Sequence, residues 1–169
     1  MYTTMYTTTP PARAAADAPG AFGHAPGARY TAPELANLEA ARRFLAAIEA
    51  GTAAADADPD AALAYYAPDA RQVEFPNRFL PAGAERDLAA LRAAAERGRG
   101  VLRAQRFEVR AAYAAGDAVI LEVLWAGTLA VPVGALAPGD EMRAHFAVFL
   151  EFRGGRVWRH RTYDCFEPF

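Results

Sequence analysis

Two strands joined by a glycine pair close this chain and constrain its fold more than any other segment. The stretch EMRAHFAVFLEFRGGRVWRHRTYDCFEPF is broken at Gly154-Gly155, a linker typical of tight hairpins because glycine tolerates a positive φ. Side chains of a strand alternate between its two faces. In the first strand, this alternation gives an apolar face made of Met142, Ala144, Phe146, Val148, Leu150 and Phe152. We therefore expect this hairpin to pack on a core.

The second strand of the hairpin carries polar side chains on the face that we expect to be buried. Arg159 and Arg161 share one face, and because guanidinium groups seek water, that face is predicted to be the outer one. The opposite face carries Trp158, His160, Thr162, Asp164 and Phe166. A polar group on the core side of a sheet costs free energy unless it is paired, so this face indicates a candidate site.

The composition favours one globular domain. The chain has 169 residues, of which 53% are hydrophobic, and this is enough to bury a core. Its formal net charge of −2 offers no general attraction to nucleic acid or to an anionic membrane, so we expect neither as a partner. No apolar run approaches the ~20 residues that cross a bilayer, and no secretory signal is recognisable. Cys165 is the single cysteine, which excludes an internal disulfide and predicts a cytoplasmic location.

The absent residue types narrow the chemistry further. The sequence contains no lysine and no serine, and all 18 basic residues are arginine, which removes Schiff-base lysines and serine nucleophiles. The three histidines, His24, His145 and His160, are scattered, and no HxH, HExxH or CxxC motif occurs. No GxGxxG motif follows a predicted strand. We therefore expect neither a metal nor a cofactor, and the candidates for proton transfer are Cys165, histidines, carboxylates, threonine and tyrosine.

The order of predicted elements indicates a domain of the α+β class. Residues 1–30 are rich in Thr, Ala, Pro and Gly, which predicts a disordered tail, and residues 31–169 form the predicted domain. Thr31 and Glu34 match a capping box at the start of the first helix. We then expect a short second helix in PDAALAYYAPDA, a strand at 71–75, a third helix at 84–97, and strands at 101–114, 118–130, 141–152 and 156–166. Helices segregated to one side of a sheet are typical of α+β domains.

This order resembles that of the NTF2-like superfamily, and in particular its SnoaL-like branch of polyketide-cyclase type. The likeness is carried by ARRFLAAIEAG, ALAYYAPDA, VEFPN and LEFRGGRVWRHRTYD, in that order, and covers roughly residues 33–166. The resemblance implies a cone, in which a curved and mostly antiparallel sheet carries three helices on its concave side and encloses a pocket. It also implies a homodimer formed through the outer face of the sheet.

The resemblance argues against one reaction of the superfamily. Ketosteroid isomerases place a tyrosine on the first helix, a general base before the proline that ends the first strand, and a protonated aspartate on the penultimate strand. The corresponding positions here are Phe44, Phe75 and Val148, and all three are apolar. Glu74 is one step from Phe75, so we expect it to face the other way.

The last strand retains polar candidates. The resemblance places pocket-lining positions at His160, Thr162 and Asp164, in agreement with the alternation of the arginines. SnoaL-like cyclases carry an acid/base aspartate on this strand, but that position is Thr162 here, with Asp164 two residues further. His160 and Asp164 lie roughly 13 Å apart, since each residue of a strand rises about 3.3 Å. They therefore cannot form a hydrogen-bonded dyad.

Asp164 and His160 are the candidate catalytic residues. Each has a structural alternative, since Asp164 could bind an arginine or a loop amide at the rim and His160 could be a buried structural histidine. The residues expected to bind ligand are Thr162, Tyr66, Trp125, Phe146, Phe44, Phe75, Asn77 and Arg78. The aromatic members could equally be core residues, and the Asn-Arg pair could form a turn and a solvated charge.

We therefore expect the pocket to bind a small, largely apolar molecule that is aromatic or polyketide-like. As an enzyme, the protein would carry out cofactor-free acid/base chemistry, namely cyclisation, isomerisation or dehydration. The competing hypothesis is a non-catalytic small-molecule-binding or accessory module. An epoxide hydrolase would need a water molecule held between carboxylates and a polar partner, a set that the sequence alone does not assemble.

Overall fold

Two α-helices and six strands make up the described part of the chain, which comprises residues 29–53, 58 and 60–169 of this computed structural model. In chain order, the elements are α1 (Ala32–Ala53), β1 (Tyr66–Glu74), β2 (Ala84–Arg86), α2 (Leu88–Gly98), β3 (Leu102–Ala115), β4 (Ala118–Leu129), β5 (Glu141–Arg153) and β6 (Arg156–Phe166). The prediction of a disordered tail falls almost entirely on residues 1–28, outside the described residues. None of the described helices is both long enough and apolar enough to cross a membrane.

The six strands form one mixed sheet in the order β2-β1-β6-β5-β4-β3. The β1–β6 pair is parallel and the other four pairs are antiparallel. The hairpins turn at Gly116 (φ +59°) and at Gly154 and Gly155 (φ +58° and +73°), conformations that side chains with a Cβ rarely adopt. The α+β class and the four long C-terminal strands are confirmed, with boundaries that differ from the sequence prediction by at most one residue.

The first helix begins where the capping box predicts. Thr31 donates to Glu34 Oε2 from its backbone nitrogen at 2.8 Å and from its hydroxyl at 2.7 Å. The other oxygen of Glu34 accepts the backbone N–H of Gly116 at 2.9 Å, which ties the start of α1 to the β3–β4 turn. Leu38 and Phe44 of α1, 2% and 1% exposed, then pack with the core side chains of the sheet.

The prediction of three helices is wrong for the described residues, where two α-helices are found. In the segment PDAALAYYAPDA, the described residues 60–70 form a 3₁₀ turn at Leu63–Tyr65 in place of an α-helix, and β1 begins immediately afterwards at Tyr66. A residue before proline is biased away from helical ψ angles, and Pro68 therefore favours an extended chain here. The helix expected from residue 84 starts four residues later, after the short strand β2, with the Asp87 side chain capping the N–H of Ala90 at 2.9 Å.

The inner face of β5 matches the sequence prediction, whereas the start of β6 does not. The register of this pair shifts after Glu151, and such a bulge places two residues opposite one. Val157 consequently enters the core and is fully buried. Trp158, which was expected on the inner face, instead packs against the guanidinium groups of Arg153 and Arg159. From His160 onward the predicted alternation holds, because His160 and Thr162 are buried.

Candidate functional site

Polar side chains cover one half of the inner face of the sheet. Gln72 of β1 pairs in register with Arg86 of β2 on one side and with His160 of β6 on the other. Two residues further, Glu74 pairs with Thr162. Residues in register on neighbouring strands share a face, so these five side chains form one polar patch. Their neighbours on β5, Leu150 and Val148, begin the apolar half.

A cavity of about 810 Å³ lies over the polar patch and between the two helices. Its walls are mostly apolar and come from α1, the segment before β1, α2 and the start of β3. The apolar lining residues are Phe44, Ala47, Ile48, Gly51, Ala62, Leu63, Leu91, Ala94, Ala95, Gly98, Gly100 and Leu102. The lining residues with polar groups are Thr52, Asp58, Tyr66, Gln72, Glu74, Arg86, Arg99, Arg103, Gln105 and His160. This volume suits a drug-sized organic ligand.

Glu74 is the carboxylate of the polar patch, and both of its oxygens accept hydrogen bonds. Arg86 Nη1 donates to Glu74 Oε2 at 2.8 Å and also to Gln72 Oε1 at 2.8 Å. Asn77 Nδ2 donates to Glu74 Oε1 at 2.8 Å. The side chains of Arg86 and Glu74 are only 14% and 17% exposed, so their ion pair is sheltered from water. The arrangement fixes the position of the carboxylate.

Asp164 lies near Glu74, two residues after Thr162 on β6, and is not itself a lining residue of the cavity. Its carboxylate is half-buried and accepts a hydrogen bond from the Thr162 hydroxyl. Burial, and to a smaller extent the negative charge of Glu74, raise the pKa of Asp164 to about 6, although the Thr162 hydrogen bond opposes the rise. Two carboxylates that close cannot both ionise cheaply. The charge of Glu74 therefore favours the protonated form of Asp164.

His160 forms a buried pair with Tyr66. The Tyr66 hydroxyl lies 2.7 Å from His160 Nδ1, and Phe44 packs edge-on against both rings at 5.3 and 5.9 Å. Burial lowers the pKa of His160 to about 4 and raises the pKa of Tyr66. The imidazole is thus neutral at pH 7, and its Nδ1 accepts the tyrosine proton in the tautomer that carries the ring proton on Nε2. Its own proton then sits on Nε2, which makes His160 a hydrogen-bond donor and a poor base.

The sequence prediction reversed the orientations of Glu74 and Phe75. Because β1 continues through Gln72 to Glu74 with inward even-numbered positions, Phe75 turns to the outer face. There its ring stacks on Tyr163, with centroids 4.2 Å apart, so Phe75 is removed from the cavity. Glu74, which was expected to face away from the pocket, therefore supplies a carboxylate that faces the cavity. It lies one residue before the position, Phe75, that corresponds to the isomerase base.

The remaining predicted ligand-binding residues fall into separate groups. Phe44 and Tyr66 line the cavity. Trp125 and Phe146 stack on each other in a second apolar cluster, and Trp125 Nε1 donates to the cavity residue Gln105 at 2.9 Å. Both aromatic side chains thus lie behind the cavity wall.

The loop after β1 positions the site without entering it. Besides holding Glu74, Asn77 accepts the backbone N–H groups of Phe79 and Leu80 at 2.9 and 3.0 Å, which makes it a turn residue as well. Arg78 donates to the carbonyl of Phe169 at 2.7 Å and lies over its ring. Both residues were expected to bind ligand. The structure instead links Asn77 to the site through Glu74 and places Arg78 against Phe169.

Sequence reasoning missed three residues of the site: Gln72, Glu74 and Arg86. The alternation of Gln72 and Glu74 in a strand followed by proline was a usable signal. Arg86 gave none, because it lies on a three-residue strand within a segment that reads as a helix. The described residues contain no group of three or more His, Cys, Asp or Glu side chains placed to hold a metal ion.

Comparison with known proteins adds the family context. A family model for the SnoaL-like domain matches residues 41–160, and no curated protein matches the chain. A candidate SnoaL-like polyketide cyclase from Jannaschia sp. CCS1 has a TM-score of 0.62 at 18% identity, covering 82% of this chain and 91% of its own. An NTF2-like protein from Anabaena variabilis has a TM-score of 0.61 at 13% identity, covering 85% of this chain and 96% of its own. A LEH-like epoxide hydrolase from M. tuberculosis has a TM-score of 0.55 at 20% identity, covering 78% of this chain and 84% of its own. At these identities, the likeness establishes the fold.

Proposed function

This chain belongs to the SnoaL-like domain family, and from that premise we propose that its cavity binds a small, largely apolar molecule and transfers protons on it without a cofactor. The ligand class is aromatic or polyketide-like, in keeping with the apolar walls of the cavity. The reaction class is cyclisation, isomerisation or dehydration. The observation that carries the proposal is a fixed carboxylate, Glu74, at the polar edge of this cavity with a second carboxylate, Asp164, beside it.

Glu74 is the general base in this proposal, and Asp164 is a positioning residue that acts through it. When both carboxylates are ionised, their charges repel each other, and a proton taken from the ligand relieves that repulsion. The doubly ionised state is populated above the pKa of Asp164, which lies at about 6. Proton abstraction is therefore expected to accelerate as the pH rises through this value. Thr162 orients Asp164 through its hydroxyl.

His160 serves as a hydrogen-bond donor to the ligand. Its Nδ1 is occupied by Tyr66, so the Nε2–H is the group available to a carbonyl oxygen in the cavity. Because the pKa of His160 is held at about 4 by burial, the imidazole stays neutral and polarises the carbonyl without donating its proton. This role replaces the acid/base role that the sequence left open for His160.

The experiment that tests this proposal is hydrogen–deuterium exchange on a simple apolar ketone. With 2-tetralone in D₂O, NMR measures loss of the α-proton signal above the enzyme-free rate, and a thermal-shift titration measures binding. We expect exchange by the wild type, a loss of about 100-fold or more in Glu74→Gln, and a pH step near 6 that is absent in Asp164→Asn. His160→Ala is expected to slow exchange and to weaken binding of the ketone together.

The matched control is Glu108→Gln, which changes an exposed glutamate on β3 that pairs with Arg110. It should leave exchange and binding unchanged. Equal exchange rates in Glu74→Gln and wild type would rule out the assigned base. Binding of the ketone without any exchange by the wild type would favour the competing function, a non-catalytic binding module.

We further propose a homodimer formed through the outer face of the sheet. Tyr113, Ile120 and Tyr163 are 46%, 37% and 45% exposed on this face. Phe149 lies in register with Ile120 and packs edge-on against the ring of Tyr163. An exposed apolar band of this kind marks an interaction surface. Ile120→Glu should convert a dimer to a monomer in light scattering, whereas Val131→Glu, at an exposed loop position, should not. A monomeric wild type would refute the proposal.

The cytoplasmic location also stays a proposal. The thiol of Cys165 is free and exposed, and a free surface thiol is typical of a reducing compartment.

A further inference from the structure

Arg86 makes only part of the hydrogen bonds that its guanidinium group can make. Both protons of Nη1 are used, one for Gln72 and one for Glu74, each at 2.8 Å. Nη2 and Nε, which carry three further N–H donors, make no hydrogen bond to any of the described residues. Among these residues, no fully buried side-chain nitrogen or oxygen is left without a partner, so the unused edge of Arg86 is not sealed inside the protein.

The unused edge belongs to a side chain that lines the cavity. Arg86 is one of the cavity residues, and its side chain is 14% exposed. Its positive charge opposes the rise in the pKa of Tyr66 and of Asp164, so the guanidinium lies within electrostatic reach of both groups. A poorly hydrated guanidinium with free donors interacts with an anion far more strongly than a surface arginine does.

We propose that Arg86 is a ligand-binding residue that receives the anionic oxygen of an enolate through its Nε and Nη2 donors. The two donors form a planar fork, the shape that binds one or two oxygens of a planar anion side-on. This assignment narrows the ligand class from apolar molecules in general to enolisable ketones. A 1,3-dicarbonyl compound would engage both Nε and Nη2 of Arg86. This inference rests on the proposed function, since it specifies how the same cavity handles charge.

The charge balance of the step supports this assignment. A C–H bond next to the carbonyl breaks, the proton goes to an oxygen of Glu74, and the electron pair forms the enolate C=C–O⁻. Glu74 thereby loses its negative charge while the ligand oxygen gains one. The number of anions around Arg86 is therefore the same before and after the transfer, so the transfer leaves no unpaired charge in a sheltered site, which would be costly.

The test uses 1-phenyl-1,3-butanedione, whose enolate is distinguished from the neutral forms by its ultraviolet absorption. The measurement is the ionised fraction of the bound probe at a pH where the free probe is neutral. We expect the wild type to bind part of the probe as enolate, and Glu74→Gln to increase this fraction, because the enolate then replaces Glu74 as the ion-pair partner of Arg86. Adding Arg86→Met to Glu74→Gln should reduce the fraction about tenfold or more.

Arg92→Met in the Glu74→Gln background is the matched control, because Arg92 lies on α2 and pairs with Asp60 at the surface. It should leave the bound enolate unchanged. Circular dichroism checks the fold of each variant. As a second measurement on the intact site, NMR of the arginine Nε–H groups, assigned with Arg86→Lys, should show a shift of the Arg86 signal on binding of the probe.

The outcomes separate this inference from the proposed function. An ionised fraction that is equal with and without Arg86, or an Arg86 Nε–H signal that does not move, overturns the inference while exchange on 2-tetralone can still stand. Arg86-dependent ionisation in a wild type that exchanges no protons supports the anion site and overturns the catalytic proposal.

Discussion

Replacing Asp164 with asparagine should change how the stability of the protein depends on pH. The pKa of Asp164 is raised from 3.8 to about 6, first by burial and then by the neighbouring Glu74. Asparagine resembles the protonated carboxyl group in size and cannot ionise. Asp164→Asn therefore keeps the neutral form at every pH and removes the cost of charging this position.

The sign follows from the proton count of the two states. Between pH 3.8 and about 6, the folded chain binds the Asp164 proton and the unfolded chain does not, so the free energy of unfolding falls as the pH rises through this window. The rise in the pKa of Asp164 from 3.8 to about 6 corresponds to about 3 kcal/mol of unfolding free energy, at about 1.36 kcal/mol per pKa unit. Because the carboxyl is only half-buried, solvent screening reduces our expectation to about 1–2 kcal/mol. Asp164→Asn should be more stable than the wild type by this amount at pH 8, and equal to it near pH 4.

His160 produces the opposite trend in an overlapping pH range. Burial lowers its pKa from 6.5 to about 4, so below pH 6.5 the unfolded chain binds a proton that the folded chain refuses. Stability from this group is lost as the pH falls from 6.5 through 4, by about 3 kcal/mol in total. The two groups partly cancel in the wild type. Removing the Asp164 titration should therefore expose a steeper loss of stability toward acid.

Urea unfolding between pH 4 and 8, followed by tryptophan fluorescence, measures both effects. Asp117→Asn is the matched control, because Asp117 is exposed in the β3–β4 turn and its side chain makes no hydrogen bond to a described residue. A stability difference between Asp164→Asn and the wild type that does not vary with pH would refute the reasoning. So would a variant that is less stable than the wild type at pH 8.

Two further substitutions test the packing around the cavity. In Gly127→Ala, the new Cβ would lie 2.6 Å from the ring of Trp125, so we expect a loss of about 1–3 kcal/mol in urea unfolding; Gly51→Ala, with nothing within 4 Å, should not be destabilising. Tyr66→Phe leaves the buried Nδ1 of His160 without its donor and should cost about 1–3 kcal/mol by the same assay, whereas an equal loss on substituting an exposed tyrosine would contradict the role of this pair.

Much of the fold could be predicted because its signals are local. The Gly154-Gly155 pair marked the closing hairpin, and the four C-terminal strands were predicted within a residue of their observed ends. The capping box at Thr31 likewise predicted the start of α1 from a four-residue pattern. Each signal depends on contacts between residues that are close in the sequence.

The errors arose where pairing between distant segments decides the structure. The alanine-rich segment before Pro68 has high helix propensity, yet Tyr66 pairs with Val157 in β6 and the chain is extended. The same applies to Arg86, whose short strand exists because it pairs with Gln72 and its neighbours. Local propensity is a weak guide when tertiary pairing competes with it.

The candidate site illustrates why a polar row on one strand was an incomplete guide to function. The row from His160 to Asp164 lies on the inner face, as predicted. The carboxylate of the polar patch, Glu74, comes instead from a strand almost 90 residues earlier in the chain. The parallel β1–β6 register sets Glu74 beside Thr162. The charge of Glu74 in turn contributes to the raised pKa of Asp164. The chemistry of Asp164 is thus a property of two strands and not of one. It follows that Glu74→Gln should lower the pKa of Asp164, an effect that a row of independent polar contacts on β6 would not produce.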